Sequence, residues 1–196
     1  KYGGHLILVN PFGQIPNREI CDALDEIDEK RRISLLHRKF AELFPAELFC
    51  VNSEAGLKKE ELIAKMCRNL EEKGYVDHSF YPSVMDRENA FGTAFGEVAI
   101  PHSLDNNGLK TAINVCIVEK GIVWDSRLLQ VVFLASVNKN DMFWYREAFE
   151  GMLILLDKED FIAKIRNCKN YESFKKVWME ALTKNNKRYT GGESDK

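Results

Sequence analysis

The stretch Arg87-Glu-Asn-Ala-Phe-Gly-Thr-Ala-Phe-Gly-Glu-Val-Ala-Ile-Pro-His102 contains the strongest clue to the fold and to the chemistry of this chain. Its glycines predict a turn, and the apolar run 98–100 predicts a short strand. Pro101 fixes its own φ and restricts Ile100, so the backbone that presents His102 is stiff. A rigidly placed imidazole suits nucleophilic chemistry, but a lone histidine after a strand is also typical of a structural hydrogen-bonding residue.

The neighbours of His102 distinguish it from the other three histidines. Ser103 follows it directly, either as a hydroxyl donor for the same site or as a simple turn residue. His37 lies among basic residues on a charged helix, His78 opens a helix and His5 lies near the start of the chain. Surface or capping roles are therefore predicted for these three.

The composition favours one sizeable α/β domain with a smaller appendage, because 45% of the 196 residues are hydrophobic. The net charge of -2 gives no global electrostatic case for nucleic acid or an anionic membrane as partner. The longest apolar runs, 6–9 and 131–137, are strand-sized, whereas a membrane span needs about 20 residues. Nothing in the sequence is typical of a secretory signal, so a cytoplasmic protein is the default expectation.

The cysteines are five in number and widely spaced, and they form no Cys-x-x-Cys pair. Their odd number, their wide spacing and the lack of such a pair argue against a disulfide framework and against a zinc site. We therefore expect buried thiols, and we predict neither a metal nor a cofactor. These residues are Cys21, Cys50, Cys67, Cys116 and Cys168.

Apolar spacing predicts helices over much of the chain. A short strand at 6–9 is followed by a long charged helix, or by two shorter helices, that Pro45 ends. Asp77 is expected to cap a further helix. Other helices are predicted over 58–72, 141–156, 158–167 and 171–182.

Strands are predicted mainly in the middle of the chain, where valine, isoleucine and phenylalanine are frequent. Turn signals separate these strands at 106–108 and 120–121. The helices must therefore cover a central sheet, and the polar tail 184–196 is expected to be disordered. The predicted strands are 48–51, 98–100, 112–119 and 128–137.

The stretch from Arg87 to His102 resembles the signature of the mannitol/fructose-type enzyme IIA domains of the bacterial phosphoenolpyruvate sugar phosphotransferase system. The resemblance extends from about Leu48 to about Leu182. It implies an α/β fold in which a mixed β-sheet is covered by helices on both sides. It also implies that His102 accepts a phosphoryl group from the carrier protein HPr and passes it to a cysteine of an enzyme IIB domain. By family position, Arg87 stabilises the phosphoryl group, and Ser103 is a possible hydroxyl donor.

One position departs from the family pattern. Sugar-transporting members carry a second active-site histidine at the start of the helix after the strand Val131-Val-Phe-Leu-Ala135, and the alignment places Tyr145 there. A phenol can donate a hydrogen bond to a phosphoryl group but cannot carry the switchable positive charge of an imidazolium. This departure weakens the case for an efficient relay.

The N-terminal third resembles the join between an enzyme IIB-like domain and the C-terminal enzyme IIA-like domain of transcriptional antiterminators and activators with phosphotransferase regulation domains. On this interpretation residues 1–44 are a remnant of the IIB-like domain and a helical linker. Residues 45–183 form the IIA-like domain, and 184–196 form the tail. The active-site cysteine loop of the IIB-like domain is missing, and Cys21 is no substitute for it.

These features favour a phosphorylatable regulatory domain of a sugar-operon regulator. Its expected partners are HPr and an enzyme IIB domain or the other domains of the regulator, with no membrane and no direct nucleic-acid binding by this fragment. Two alternatives stay open: an enzyme IIA phosphocarrier of a sugar permease, and a docking module that does not turn over phosphate. Phe95, Leu104 and Phe143 are candidates either for a docking surface or for the core.

Overall fold

A five-stranded mixed sheet forms the centre of the structure, a computed structural model that describes the backbone of residues 17–188 and the side chains of residues 22–184. Its strands are β1 (Phe49–Asn52), β2 (Ala94–Phe95), β3 (Val98–Ala99), β4 (Asn107–Trp124) and β5 (Arg127–Asn138). Their order across the sheet is β1-β4-β5-β3-β2. β4 and β5 form an antiparallel hairpin, β1 runs parallel to β4, β3 runs parallel to β5, and β2 is antiparallel to β3.

Helices cover both faces of this sheet. They are α1 (Asn17–Leu43), α2 (Lys59–Glu72), α3 (Phe80–Ala90), α4 (Met142–Leu156), α5 (Glu159–Ile165) and α6 (Tyr171–Arg188). Helices α1, α4, α5 and α6 pack on one face, and α2 and α3 pack on the other. The predicted α/β fold, a mixed sheet covered by helices on both sides, is therefore confirmed. The predicted strand 6–9 lies outside the described residues.

The two central strands supply side chains to both cores because successive residues of a strand point to opposite faces. Val115 and Ile117 of β4 belong to the core under α1 and α4, whereas Cys116 and Val118 belong to the core under α2. Such strands are apolar on both faces because helices cover both. This explains why the sequence shows continuous apolar runs here rather than alternation.

Helix α1 contributes to the core and is a single helix, although the sequence left two helices open. Ile33, Leu36 and Phe40 are buried against α4 and α6. A Cβ atom placed on Gly151 of α4 would lie 2.9 Å from the carbonyl oxygen of Arg32, so only glycine allows this approach. Although most residues of α1 are charged or polar, one face of the helix is apolar and buried.

The hairpin between β4 and β5 turns later than the sequence predicts. Lys120-Gly121 was expected to be the turn, but β4 continues to Trp124 and the turn is formed by Asp125 and Ser126, both with positive φ. Gly121 has φ +74° and lies where the register with β5 shifts. The glycine therefore marks a bulge within the strand.

The structure also tests the predicted element bounds and the predicted burial of the cysteines. The two-residue strand β2 was not predicted, and α6 continues past Leu182 to Arg188. Buried thiols are confirmed for Cys67, Cys116 and Cys168, but the prediction is wrong for Cys50, which is exposed because its strand β1 is an edge strand. Among the described residues no helix is long and apolar enough to span a membrane, and no three or more His, Cys, Asp or Glu side chains gather into a metal site.

Candidate functional site

His102 lies just beyond β3, where the chain runs beside the central strand β5. It forms an isolated parallel bridge with Ala135, whose backbone N–H donates a 2.9 Å hydrogen bond to the carbonyl oxygen of Pro101. One residue earlier, the N–H of Ile100 donates to the carbonyl oxygen of Thr93 over 2.9 Å. The sheet therefore anchors the backbone immediately before the half-buried imidazole.

The orientation of the imidazole is fixed by its Nδ1 atom, which lies 2.9 Å from the carbonyl oxygen of Ile100. A carbonyl oxygen only accepts hydrogen bonds, so Nδ1 carries the proton. In the neutral ring the lone pair then lies on Nε2, and such a lone pair can attack an electrophile. The geometry thus leaves Nε2 as the ring nitrogen with a free lone pair, and its role as a nucleophile stays a prediction.

The loop after His102 is tied to helix α3. Ser103 is 3% exposed, and its hydroxyl oxygen accepts a 3.4 Å hydrogen bond from the backbone N–H of Asn107. The backbone N–H of Leu104 donates to the hydroxyl oxygen of Ser83 over 3.1 Å. The contact of Ser103 is typical of a turn residue, and its service as a hydroxyl donor stays a prediction.

Arg87 lies in the last turn of α3, and its guanidinium donates a hydrogen bond to the carbonyl oxygen of Phe91. This contact caps the end of the helix. Ser83, whose hydroxyl holds the loop after His102, lies four residues earlier and therefore on the same helix face as Arg87. Arg87 thus belongs to the face of α3 that carries this loop contact, and its role toward a phosphoryl group stays a prediction.

Tyr145 lies in the first turn of α4 and is 9% exposed. Its ring stacks on that of Phe149, with the centroids 5.5 Å apart, and burial raises the pKa of its phenol above the ordinary value. It belongs to the same core as Ile100. Tyr145 packs as a core aromatic, and its role in place of a second histidine stays a prediction.

Glu88 is a supporting residue that sequence reasoning did not single out. Its fully buried carboxylate accepts hydrogen bonds from the N–H and the hydroxyl of Thr93, which lie 3.2 and 2.5 Å away. It also accepts from Nε1 of Trp124 over 2.8 Å and pairs with Lys59 over 3.3 Å. Since the carbonyl of Thr93 holds Ile100, Glu88 braces the segment that leads to His102. Only the position of Glu88 beside Arg87 could have drawn attention to it.

A family model described as "Phosphoenolpyruvate-dependent sugar phosphotransferase system, EIIA 2" matches residues 42–180. The chain belongs to this family. The matched residues of this EIIA 2 domain include Arg87, His102, Ser103 and Tyr145. The resemblance read from the stretch that ends at His102 is thereby confirmed.

Two curated relatives of the EIIA 2 domain come from Bacillus subtilis (strain 168). The first, "Probable licABCH operon regulator", is 28% identical over 156 residues, which are 79% of this chain and 23% of that protein. The second, "Transcriptional regulator ManR", is 26% identical over 115 residues, which are 58% of this chain and 18% of that protein. The chain spans less than a quarter of the length of either relative.

Solved structures share the fold of the EIIA 2 domain. The nitrogen regulatory protein IIA-Ntr from Neisseria meningitidis superposes with a TM-score of 0.62 at 16% identity, covering 71% of this chain and 98% of that one. The enzyme IIA of the mannitol IIA–IIB complex from Escherichia coli superposes with a TM-score of 0.60 at 19% identity, covering 70% and 97%. At these identities the likeness shows the fold alone.

Proposed function

We propose that this chain is a phosphorylatable EIIA-type regulatory domain that accepts a phosphoryl group on Nε2 of His102 from the phosphorylated carrier HPr. The observation that carries the proposal is the hydrogen bond between Nδ1 of His102 and the carbonyl of Ile100. It places the proton on one ring nitrogen and leaves the other free to attack. Membership in the EIIA 2 family supports a phosphoryl group as the electrophile.

No general base is needed to remove a proton from His102 during the transfer. The lone pair of Nε2 forms a bond to phosphorus while the bond between phosphorus and the donor's nitrogen breaks, and that electron pair returns to the donor. Nδ1 keeps its proton throughout, and the hydrogen bond that it donates to the carbonyl of Ile100 stabilises the positive charge of the substituted ring. The backbone before His102 does not need to move, because the hydrogen bond between Ala135 and Pro101 already holds it.

The exposed surface of the domain offers apolar contacts for a protein partner, and one of them, Leu104, lies two residues after His102. Phe95, Leu104 and Phe143, which the sequence left open between surface and core, are all exposed. Exposed apolar side chains are typical of protein contact sites. Partners of this kind are HPr and an enzyme IIB domain, or the other domains of a regulator; an enzyme IIA in complex with phosphorylated enzyme IIB is known for the mannitol system of Escherichia coli.

Two observations favour a regulatory role over a carrier role. The two Bacillus subtilis relatives are described as an operon regulator and a transcriptional regulator. Tyr145, at the position predicted for a second histidine, is buried and neutral rather than chargeable. A phosphoryl group adds about -1.5 to -2 charge at His102, which is enough to change how a neighbouring domain docks.

Labelling tests the acceptor role. The chain is incubated with phosphoenolpyruvate, enzyme I and HPr, and acid-labile phosphate is mapped by peptide analysis. We expect the label on His102, its loss in His102→Ala and its retention in the matched control His78→Ala, since His78 is exposed. An unlabelled wild-type chain, beside an enzyme IIA domain that does become labelled, contradicts the proposal and favours the docking module.

A second measurement distinguishes the regulator from the carrier. The labelled chain is mixed with an enzyme IIB domain, and the loss of phosphate from His102 is followed with time. We expect transfer to be at least tenfold slower than from a sugar-transporting enzyme IIA. Equally fast transfer to the cysteine of enzyme IIB would support the carrier instead.

A further inference from the structure

Two cysteines outside the His102 site lie opposite each other in the sheet. Cys50 of β1 and Cys116 of β4 are direct partners in the parallel register. Neighbouring strands are about 4.8 Å apart, and disulfides join residues whose Cα atoms are about 4.4–6.8 Å apart. The two residues therefore meet the distance requirement for a disulfide without a shift of either strand.

Both side chains face the same groove. Cys50 and Cys116 line a cavity of about 320 Å³ between α2 and the edge of the sheet, together with Lys65 and Met66 of α2. Cys50 is exposed and Cys116 is buried. A small solute in the groove can therefore reach Cys50, while Cys116 lies behind it.

The two neighbouring thiols interact with each other, and this interaction makes them unequal. It lowers the pKa of Cys50 below the ordinary thiol value and, together with burial, raises the pKa of Cys116. The thiolate is the nucleophilic form of cysteine. Exposure and pKa thus both favour Cys50 as the attacking residue and Cys116 as the one that follows.

We propose that Cys50 and Cys116 form an oxidation site that reacts with hydrogen peroxide and closes a reversible disulfide between β1 and β4. In the first step the Cys50 thiolate attacks one peroxide oxygen, the O–O bond breaks, and hydroxide leaves and is protonated to water. The product is a sulfenic acid on Cys50. In the second step the Cys116 sulfur attacks the Cys50 sulfur, its proton goes to the departing hydroxyl, and a second water forms. Two thiols are oxidised and one peroxide is reduced.

Other thiols of the fold provide matched controls. Cys67 is buried in the same core as Cys116, and burial raises its pKa to about 12. Burial also raises the pKa of Cys168. Neither lies opposite another cysteine in the described sheet. Both should therefore resist oxidation under conditions that convert the Cys50–Cys116 pair.

The test treats the full folded chain with dilute hydrogen peroxide, blocks remaining thiols with an alkylating agent and maps peptides by mass. We expect a peptide linked through Cys50 and Cys116, which dithiothreitol splits. Cys50→Ser should slow the reaction at least tenfold, whereas Cys67→Ser should leave its rate within twofold of wild type. Cys116→Ala should leave a sulfenic acid on Cys50 that dimedone captures, and circular dichroism checks that each variant is folded.

Several outcomes would overturn the proposal. One is a folded wild-type chain in which Cys50 becomes overoxidised without any link to Cys116. Others are a link from Cys50 to a different cysteine, or equal oxidation of Cys67 and Cys50. The wild-type peptide map decides the matter even if Cys116→Ala does not fold.

Discussion

The buried carboxylate of Glu88 is the common hydrogen-bond acceptor and ion-pair partner of three residues near the candidate site. Removing it leaves Lys59 and the indole N–H of Trp124 without their shared acceptor and frees Thr93 from its side-chain contacts. Lys59 keeps Asp125 as a partner, so its charge is not left alone. The cost therefore arises mainly in the buried interior, where an unsatisfied donor is expensive.

We predict that Glu88→Ala lowers the free energy of unfolding by about 3 kcal/mol, the usual cost of breaking a buried pair. Urea denaturation measures this change. The matched control is Asp86→Ala, an exposed carboxylate on the same helix, which should change stability by less than about 0.5 kcal/mol. Equal effects of the two substitutions would show that the network around Glu88 does not stabilise the fold.

For Tyr145 we predict that replacement with Phe keeps the initial rate of His102 labelling within about twofold. This variant keeps the stacked ring and removes only a buried hydroxyl. The rate of labelling by phosphorylated HPr measures this. A drop of more than tenfold, with an unchanged thermal midpoint, would show that the hydroxyl serves the phosphoryl group.

The residues of the site differ in how well the sequence reveals them. The position of His102 directly after β3 was predictable because strand, proline and histidine are adjacent in the chain, so a local pattern describes their geometry. Glu88 was not, because its partners Lys59 and Trp124 are 29 and 36 residues away and only the fold brings them together. The exposure of Cys50 depended on strand order, which the spacing of apolar residues does not encode.

At the level of elements, local turn chemistry and tertiary register compete. The prediction of a turn at Lys120-Gly121 rested on glycine as a turn former, yet cross-strand pairing of Ile122 with Leu129 extends β4 beyond it. The strand β2 was missed because two residues carry no periodicity. Helix α2, by contrast, was predicted within one residue, because its apolar face is regular and Gly74 provides the left-handed conformation after its end.

The contact between α1 and α4 yields a prediction of its own. We expect Gly151→Val to lower the free energy of unfolding by about 2 kcal/mol, because a side chain there collides with the backbone of Arg32. Arg146→Val, at an exposed position of the same helix, is the control for the helix propensity of valine. Thermal denaturation of both variants measures the difference. If Gly151→Val is as stable as its control, α1 does not pack closely on α4.

At the level of the whole molecule, the family match and the core do not begin at the same place. The match begins at residue 42, but Ile33, Leu36 and Phe40 belong to the core before it. Each fully buried apolar side chain stabilises a fold by about 1.5–3 kcal/mol. The predicted domain start at residue 45 thus falls after several residues that stabilise the domain.

We therefore predict that a chain shortened to residues 45–196 unfolds at a much lower urea concentration than the full chain, and that it binds a hydrophobic dye in the absence of urea. A chain of residues 22–196, which keeps the buried positions of α1, is the control and should behave like the full chain. Equal midpoints for all three chains would show that α1 is only a linker.

Acid should destabilise the whole fold. Hydrogen bonds and ion pairs lower the pKa values of Glu47, Glu54 and Glu119 in the folded chain. A carboxyl group with a lowered folded-state pKa stabilises the fold above its unfolded-state pKa, and this contribution is lost as the pH falls through the folded-state value. We expect the thermal midpoint to be flat from pH 7 to pH 5 and to decrease from about pH 4.5 downward. A midpoint that rises over this lower range would contradict the sign of these shifts.

The close packing of α1 at Gly151 also has a mechanical consequence. A helix of 27 residues is about 40 Å long, and among its described side chains the fully buried ones all lie from Ile33 onward. The second half of α1 is therefore held by the core, and a tilt of this half is transmitted along the whole helix. A tilt of about 5° in the buried half would move the N-terminal end of α1 by about 2 Å over the roughly 20 Å of its first half. A small rearrangement within the domain is thereby amplified at the far end of α1.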